Sequence, residues 1–376
     1  MKFEYGIRPY HPGDEEEIVE LLELVFDGWP NFDLKCSALE HWRWKYLENP
    51  LKTSFIALGV SDNKIIGANH STPFRIKIGQ SIYLGSYGSD AAVHPDFRGI
   101  GVKTKTQELK GEMRRPSGTT LAFSVSSNPI IIKSKLRRGR PRFPHPVTVL
   151  VRIRDIDRQI DAMPIENAWF YKLGFRAAKL FNDIKYALGV SDEVEKEIRI
   201  REIHAFDEKI DHFWEEVSKH YDFILERNRS YLNWRYCDTR AGDFIIKQAE
   251  NDRGEILGYI VVKINRYRKE YPIGYVVDLL TLPNQLEVAR VLTDDAVNLF
   301  DSMDVNIVSL LVPKHHPHEE VLKRFGFLDS RKKLQLFYRP LDKVDVLEQL
   351  ESVSAEKIHF SYGDIDSLPV SMPNYR

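Results

Sequence analysis

Cysteine is almost absent from this chain: only Cys36 and Cys237 occur in 376 residues. They lie in different halves and match no metal-ligand spacing, which excludes a disulfide scaffold and a cysteine zinc site. A strong charge of either sign is also missing. The formal net charge of −1 argues against holding nucleic acid or an anionic membrane by bulk electrostatics. No apolar run approaches a membrane span, and the opening Met1-Lys2-Phe3-Glu4-Tyr5-Gly6 does not read as a secretory leader. The expectation is a protein of the reducing cytoplasm. With 43% hydrophobic and 29% charged residues the composition is that of ordinary globular domains, and the length suggests two of them.

What is there centres on residues 86–104. The stretch begins as a strand ending in Ala91, Ala92 and Val93 and breaks at Pro95, which cannot donate to a ladder. Arg98-Gly99-Ile100-Gly101 then opens a helix whose inward positions Val102, Thr106, Leu109 and Met113 recur at helical spacing. A strand, a glycine turn and a helix N-terminus predict an anion site. The first helical amides lack intrahelical partners, the glycines allow close approach, and Arg98, Lys103 and Lys105 add positive charge. A pyrophosphate fits there.

This stretch resembles the acyl-CoA signature of the GNAT superfamily of N-acyltransferases. In that family Arg or Gln, two residues, Gly, one residue, then Gly or Ala wrap the CoA pyrophosphate. The window Asp96–Gly101 keeps both glycines but has Asp96 in the place of the basic residue or Gln. The resemblance implies an α/β (α+β) fold of two tandem GNAT domains, each a mixed, mostly antiparallel sheet flanked by helices. It implies transfer of an acetyl (acyl) group from acetyl-CoA to an amine by direct attack in a ternary complex. It also implies that Ala92, Val93, Arg98, Gly99, Ile100, Gly101, Val102, Lys103 and Thr104 hold the donor, with Asn128 on the pantetheine arm and the Val93 amide on the thioester oxygen.

Taken in order, periodicity and turn residues predict a strand over 3–10, a helix from Asp14 and a helical segment with Trp42, Trp44 and Tyr46. Strands over 54–60 and 64–78 follow, joined by Asp62-Asn63, then the organising strand and a helix to about Arg114. A strand over 121–125, a basic helix from Asn128-Pro129 to near Gly139, and a strand over 147–153 complete the order of a GNAT domain. The second half repeats it. Asp90 and Pro95 are answered by Asp278 and Pro283, each 188 residues later, and Trp44 and Tyr46 by Trp234 and Tyr236, each 190 later. Gly139 is answered by Gly326, 187 residues later, which makes Tyr171–Phe175 linker rather than the end of the first domain. The expected units are residues 1–158, a linker over 159–196 with a helix at Asn167–Phe181, residues 197–342, and a tail over 343–376. After Pro283 the second copy has no glycine and adds Glu287, so it is expected to keep the fold without binding CoA.

Asp90 is a candidate base, because that strand borders the thioester in the family. Its recurrence as Asp278 in the degenerate copy points equally to a structural role. His70 and Tyr87 are the other catalytic candidates, and His94 reads as surface beside the turn. Lys135 stands where many family members have a Tyr that protonates the departing thiolate, with water or Tyr171 as substitutes. The basic run Lys133, Lys135, Arg137, Arg138, Arg140 and Arg142 reads as a partner for CoA phosphates or an anionic acceptor, or as a solvated face. The acceptor is expected to be a small-molecule amine, an amino sugar or nucleotide-linked sugar among the candidates, with no metal. The alternative is a non-catalytic acyl-CoA sensor or scaffold built on the cleft between the domains.

Overall fold

The computed structural model describes residues 4–30, 33–161, 176, 198–266, 271–341 and 346–365. The first half follows the order read from the sequence: β1 (Gly6–Pro9), α1 (Glu15–Phe26), α2 (Ala38–Tyr46), β2 (Ala57–Ser61), β3 (Lys64–Ile78), β4 (Ser81–Val93), α3 (Val102–Arg114), β5 (Leu121–Ser126), α4 (Pro129–Arg137) and β6 (Val147–Ile153). Local chemistry sets these boundaries. Ser37 and Glu40 form a reciprocal capping box that starts α2. Asp62 and Asn63 both take positive φ, as the tight β2–β3 hairpin requires. Asn128 caps α4 by accepting from the amides of Ile130 and Ile131, with Pro129 at the first helical position. The linker helix expected at Asn167–Phe181 lies outside the described residues, Arg176 excepted.

After α5 (Ile156–Asp161) the order recurs as β7 (Arg199–Ile203), α6 (Lys209–Ser218), a short extra β8 (Phe223–Leu225), α7 (Arg229–Leu232), β9 (Ile245–Glu250), β10 (Ile256–Asn265), β11 (Ile273–Thr281), α8 (Leu286–Ser302), β12 (Ile307–Pro313), α9 (Glu319–Arg324) and β13 (Leu328–Pro340). Two GNAT-fold halves are therefore present, but they do not own separate sheets. All thirteen strands join one sheet, in the order β1-β2-β3-β4-β5-β13-β6-β12-β11-β10-β9-β7, with β8 on the end of β3. Each half gives its last strand to the other: β13 pairs β5, and β6 pairs β12. Among the described residues the exchange leaves no free edge where the halves meet, and β1 and β7 end the strand path.

The sheet is antiparallel except at β4/β5 and β11/β12. On one face α1 and α2 pack Ile18, Leu22, Trp42 and Tyr46 against Leu58, Ala68 and Ala92. A larger core runs across the junction, joining Phe74, Ile76 and Phe123 to Ile210, Tyr259 and Tyr275. The tail belongs to it. After α10 (Val346–Ser352), Ile358, Phe360, Tyr362 and Ile365 lie in that core. Residues 366–376 lie outside the described residues.

Candidate active site

Strands β4 and β5 pair only where Gly85–Tyr87 face Leu121–Phe123; from Gly88 and Ser124 onward they part. The repeat reproduces this, with β11 and β12 paired from Ile273–Val276 to Ile307–Leu310 and then diverging. At the open end of the first divergence sits the glycine turn. Gly99 and Gly101 have φ of 84° and 97°, left-handed values that only glycine takes without strain. Gly101 is the N-cap of α3 and brings no side-chain cap, and the first turn holds no acidic residue. The Tyr5 hydroxyl donates to the Ile100 carbonyl at 2.9 Å, and Lys105 Nζ lies 4.7 Å from the centre of the Tyr5 ring. Arg98 Nε donates to the Val93 carbonyl at 3.4 Å, which ties the turn to the end of β4.

The structure thus gathers Val93 and the segment Arg98–Thr104 at one end of the divergence, with Asn128 just past the end of β5. Ala92 and Val102 point into the core, at 2% and 1% exposure, so only their backbone faces the site. His94 Nδ1 lies 3.7 Å from Asp96.

Asp90 and His70 are locked into one network beneath α2. Lys45 Nζ pairs with Asp90 Oδ2 at 2.6 Å, and the Tyr46 hydroxyl donates to the same oxygen. Burial pushes the Asp90 carboxyl up, but Lys45, His70 and the two hydrogen bonds outweigh it and hold its pKa at about 2. The backbone of Asp90 takes φ of 40°, unusual for a side chain other than glycine. His70 Nε2 accepts from the Trp42 indole at 3.1 Å, so Nδ1 carries the proton and donates to the Asp90 carbonyl at 2.8 Å. Burial lowers the His70 pKa to about 4, which leaves it neutral. Asp278 sits in a parallel network: it accepts from Tyr259 at 3.0 Å and from Tyr236 and Arg227 at 3.3 Å, with His359 Nε2 3.0 Å from its other oxygen. Arg227, His359 and Tyr259 hold its pKa well below the carboxylate range despite burial. Tyr46 and Tyr236, equivalent in the repeat, serve equivalent aspartates.

Tyr87 lies elsewhere, on a cleft between the halves that holds about 590 Å³ of open space. Lys45, Thr72, Phe74, Trp234 and Asp364 also line it. Thr72 Oγ1 is buried with no hydrogen-bond partner among the described residues. The tail reaches this cleft because Arg227 Nη1 pairs with Asp364 at 2.7 Å, and Arg235 donates to the carbonyls of Gly363 and Ile365 at 3.2 and 3.0 Å.

On the other face, α3 turns Val102 and Thr106 inward as expected, but not Leu109 and Met113. Its buried positions are Val102, Thr106, Lys110, Gly111 and Arg114, while Leu109 and Met113 are half-buried. Polar acceptors on β3 explain the phase. Lys110 Nζ reaches the His70 carbonyl at 2.7 Å, freed by a bulge between Ala68 and His70, and Arg114 Nη2 reaches Ser71 Oγ at 2.7 Å. These buried cations were hidden from an apolar pattern; the signal was their i, i+4 continuation of Val102 and Thr106. Lys135 Nζ donates to Ser124 Oγ at 2.7 Å, on the first residue of β5 beyond the paired segment. Burial, then Arg140 and Lys103, lower its pKa to about 8. Tyr171 lies outside the described residues.

Among the described residues no helix is long and apolar enough to cross a membrane, and no group of three or more His, Cys, Asp or Glu could hold a metal ion. No protein of curated function matches the sequence. Residues 6–135 match the family model described as the acetyltransferase (GNAT) domain. Among solved structures, a probable N-acyltransferase of Enterococcus faecalis V583 is similar at 11% identity and a TM-score of 0.58, over 90% of this chain and 73% of that one. Saccharomyces cerevisiae N-myristoyltransferase with bound myristoyl-CoA and inhibitors is similar at 11% identity and a TM-score of 0.60, over 95% of this chain and 86% of that one. Residues 6–135, which contain the strand divergence and the uncapped helix, are thus similar to a GNAT acetyltransferase domain, and the chain as a whole shares the fold of these N-acyltransferase structures.

Proposed function

We propose that the chain transfers an acetyl or other acyl group from a CoA thioester to an amine, at one site formed by the first half and completed by the second. The observation that carries this reading is the β4/β5 divergence, which opens beneath the uncapped N-terminus of α3 on one side and onto the cleft on the other. The donor pyrophosphate would lie on the amides of Gly99–Thr104, helped by Arg98 and Lys103, with the pantetheine between β4 and β5 near Asn128. The Val93 N–H and the other β4 amides that the divergence frees would donate to the pantetheine arm and to the thioester oxygen as it gains charge.

The acceptor enters through the cleft, where Tyr87 and Thr72 Oγ1 offer it polar contacts. A lysine-like amine is neutral about once in a few thousand molecules at pH 7. Asp90, held at about 2 by Lys45, is a weak proton acceptor, and both ring nitrogens of His70 are engaged. We therefore assign Asp90 and His70 to positioning, and the acceptor reacts from its neutral fraction, losing its proton to water. Lys135, with a pKa near 8 and bonded to Ser124 at the closed end of the divergence, protonates the departing thiolate.

The test is to incubate the protein with acetyl-CoA and a panel of amines, amino sugars included, and follow thiol release. Turnover should rise with pH as the acceptor deprotonates and fall above about pH 8 as Lys135 loses its proton, and Lys135→Met should cut kcat by about 10²-fold. Binding of acetyl-CoA without release in the presence of any amine would favour a sensor or scaffold.

A further inference from the structure

Helix α3 buries two cations that the second copy shows to be no requirement of the fold. Its buried positions Val102, Thr106, Lys110, Gly111 and Arg114 are matched, 186 residues later, by Val288, Leu292, Ala296, Val297 and Phe300 of α8. An alanine and a phenylalanine thus fill the places of Lys110 and Arg114.

Both cations lie at the closed end of the β4/β5 divergence. A Cβ on Gly88, the first residue beyond the paired segment, would stand 3.7 Å from Lys110 Nζ. Arg114 reaches Ser71 Oγ, which in turn donates to the carbonyl of Tyr87, the last paired residue, at 2.8 Å. Arg339 joins them from β13: it stands opposite Ala122 in register, and a Cβ on Gly111 would lie 4.0 Å from its Nη1. The sheet above is made of small residues, Ser71, Ser86, Gly88, Ala122 and Ser124. Among the described residues no carboxylate forms an ion pair with Lys110, Arg114 or Arg339, and the neighbours that bear on Lys110 and Arg114 are themselves cations. Arg114 Nε and Ser86 Oγ are buried without a hydrogen-bond partner among the described residues.

Buried cations with no counter-charge are unfavourable in a protein interior, and a ligand that brings an anion relieves this. The phosphates of CoA sit at its nucleotide end. The turn proposed to hold the pyrophosphate is separated from Lys110 by the first two turns of α3, roughly 12 Å. The charge that reaches the closed end must then belong to the acyl group. Resting on the acyl-transfer reading above, we propose that Lys110, Arg114 and Arg339 form an anion site for the far end of that group. The donor is then the CoA thioester of a short dicarboxylic acid, its free carboxylate seated on these cations.

Calorimetric titration with CoA, acetyl-CoA, succinyl-CoA and octanoyl-CoA tests this without requiring turnover. Succinyl-CoA should bind about tenfold or more tighter than acetyl-CoA. Arg114→Met should remove most of that advantage while leaving CoA itself unchanged. Arg339→Gln, at a half-buried position, gives the same readout if the first variant does not fold. Equal affinity for succinyl- and acetyl-CoA, or a preference for octanoyl-CoA, overturns the proposal. Variants that weaken CoA and succinyl-CoA alike also overturn it, since the cations would then serve the phosphates. If none of the four binds, the acyl-CoA reading itself falls and takes the inference with it.

Discussion

Trp44 and Trp234 lie face to face where the two halves meet, with ring centroids 4.8 Å apart and planes 19° from parallel. Each indole donates to the other's backbone carbonyl, at 3.0 and 3.2 Å. They are equivalent residues of the repeat, so the contact is reciprocal in the way an isologous dimer contact is. The exchange of β6 and β13 has the same reciprocity. Both tryptophans also line the cleft. The packing that holds the halves together is thus part of the proposed acceptor wall.

Trp44→Ala should therefore act on stability and on the acceptor together. Trp44 is 2% exposed, and truncating a buried tryptophan costs about 3–5 kcal/mol. Trp44→Phe keeps most of the stack and removes the indole donor, for about 1 kcal/mol. Urea titration should show the midpoint falling in that order, and the acceptor KM should rise in Trp44→Ala. A loss below about 1 kcal/mol in the alanine variant would remove the stack from the account.

Asp90 and Asp278 provide a matched pair of substitutions. Each to Asn removes a carboxylate from a buried cation, Lys45 in one case and Arg227 in the other, although Arg227 keeps Asp364. Removing one member of a buried pair typically costs about 3–5 kcal/mol. Both variants should be destabilised, and both should turn over within about tenfold of the parent when assayed folded. A loss of about 10²-fold in Asp90→Asn alone, shrinking as pH rises, would restore Asp90 as the base.

The element order was legible because the periodicities and punctuation are strong: the Ser37 capping box, the Asp62-Asn63 turn and the Asn128-Pro129 start each act within a few residues. The repeat was legible in Trp44/Trp234 and Asp90/Asp278. The strand exchange was not, because β6 and β13 have the same apolar pattern whichever neighbour they pair with. The glycine turn before α3 was legible because its glycines and helix start are contiguous. The Lys45–Asp90 and Arg227–Asp278–His359 networks were not, since each joins residues tens of positions apart through tertiary packing. Lys110 and Arg114 were missed because an apolar stripe cannot register a buried cation.

Four histidines make the fold acid-labile. His41 and His318 are held at about 3 and His70 at about 4 by burial, and His316 lies well below its ordinary value for the same reason. Each stays neutral when folded and takes up a proton near pH 6.5 when unfolded. The unfolded state thus binds more protons, and stability falls as pH drops below about 6.5. Each histidine approaches about 1.4 kcal/mol per pH unit. Melting temperature should decline steeply between pH 6.5 and 5, above the range where Asp90 titrates. His318→Gln, which removes one such group, should flatten the slope of unfolding free energy against pH; an unchanged slope would show that His318 is protonated in the folded state.

One donor should bind per chain, because the second copy lacks the anion turn. Its helix begins at Gln285 with no glycine turn, and Glu287, in the first turn of α8, is paired with Arg290 at 2.6 Å. An arriving pyrophosphate would meet a carboxylate where the first copy offers free amides and lysines. The tail packs beside the second divergence: His359 lies 3.0 Å from Asp278, and the Tyr362 hydroxyl lies 2.8 Å from Ser309 Oγ, with its ring edge-on against Tyr275 in the paired segment. Calorimetry should accordingly give a stoichiometry near one, and ligand should raise the melting temperature by mass action. Gly101→Glu should abolish both signals, since φ of 97° disfavours any side chain there and the carboxylate would occupy the anion turn. Two sites of similar affinity, or a binding signal that survives Gly101→Glu, would move the donor away from the first copy.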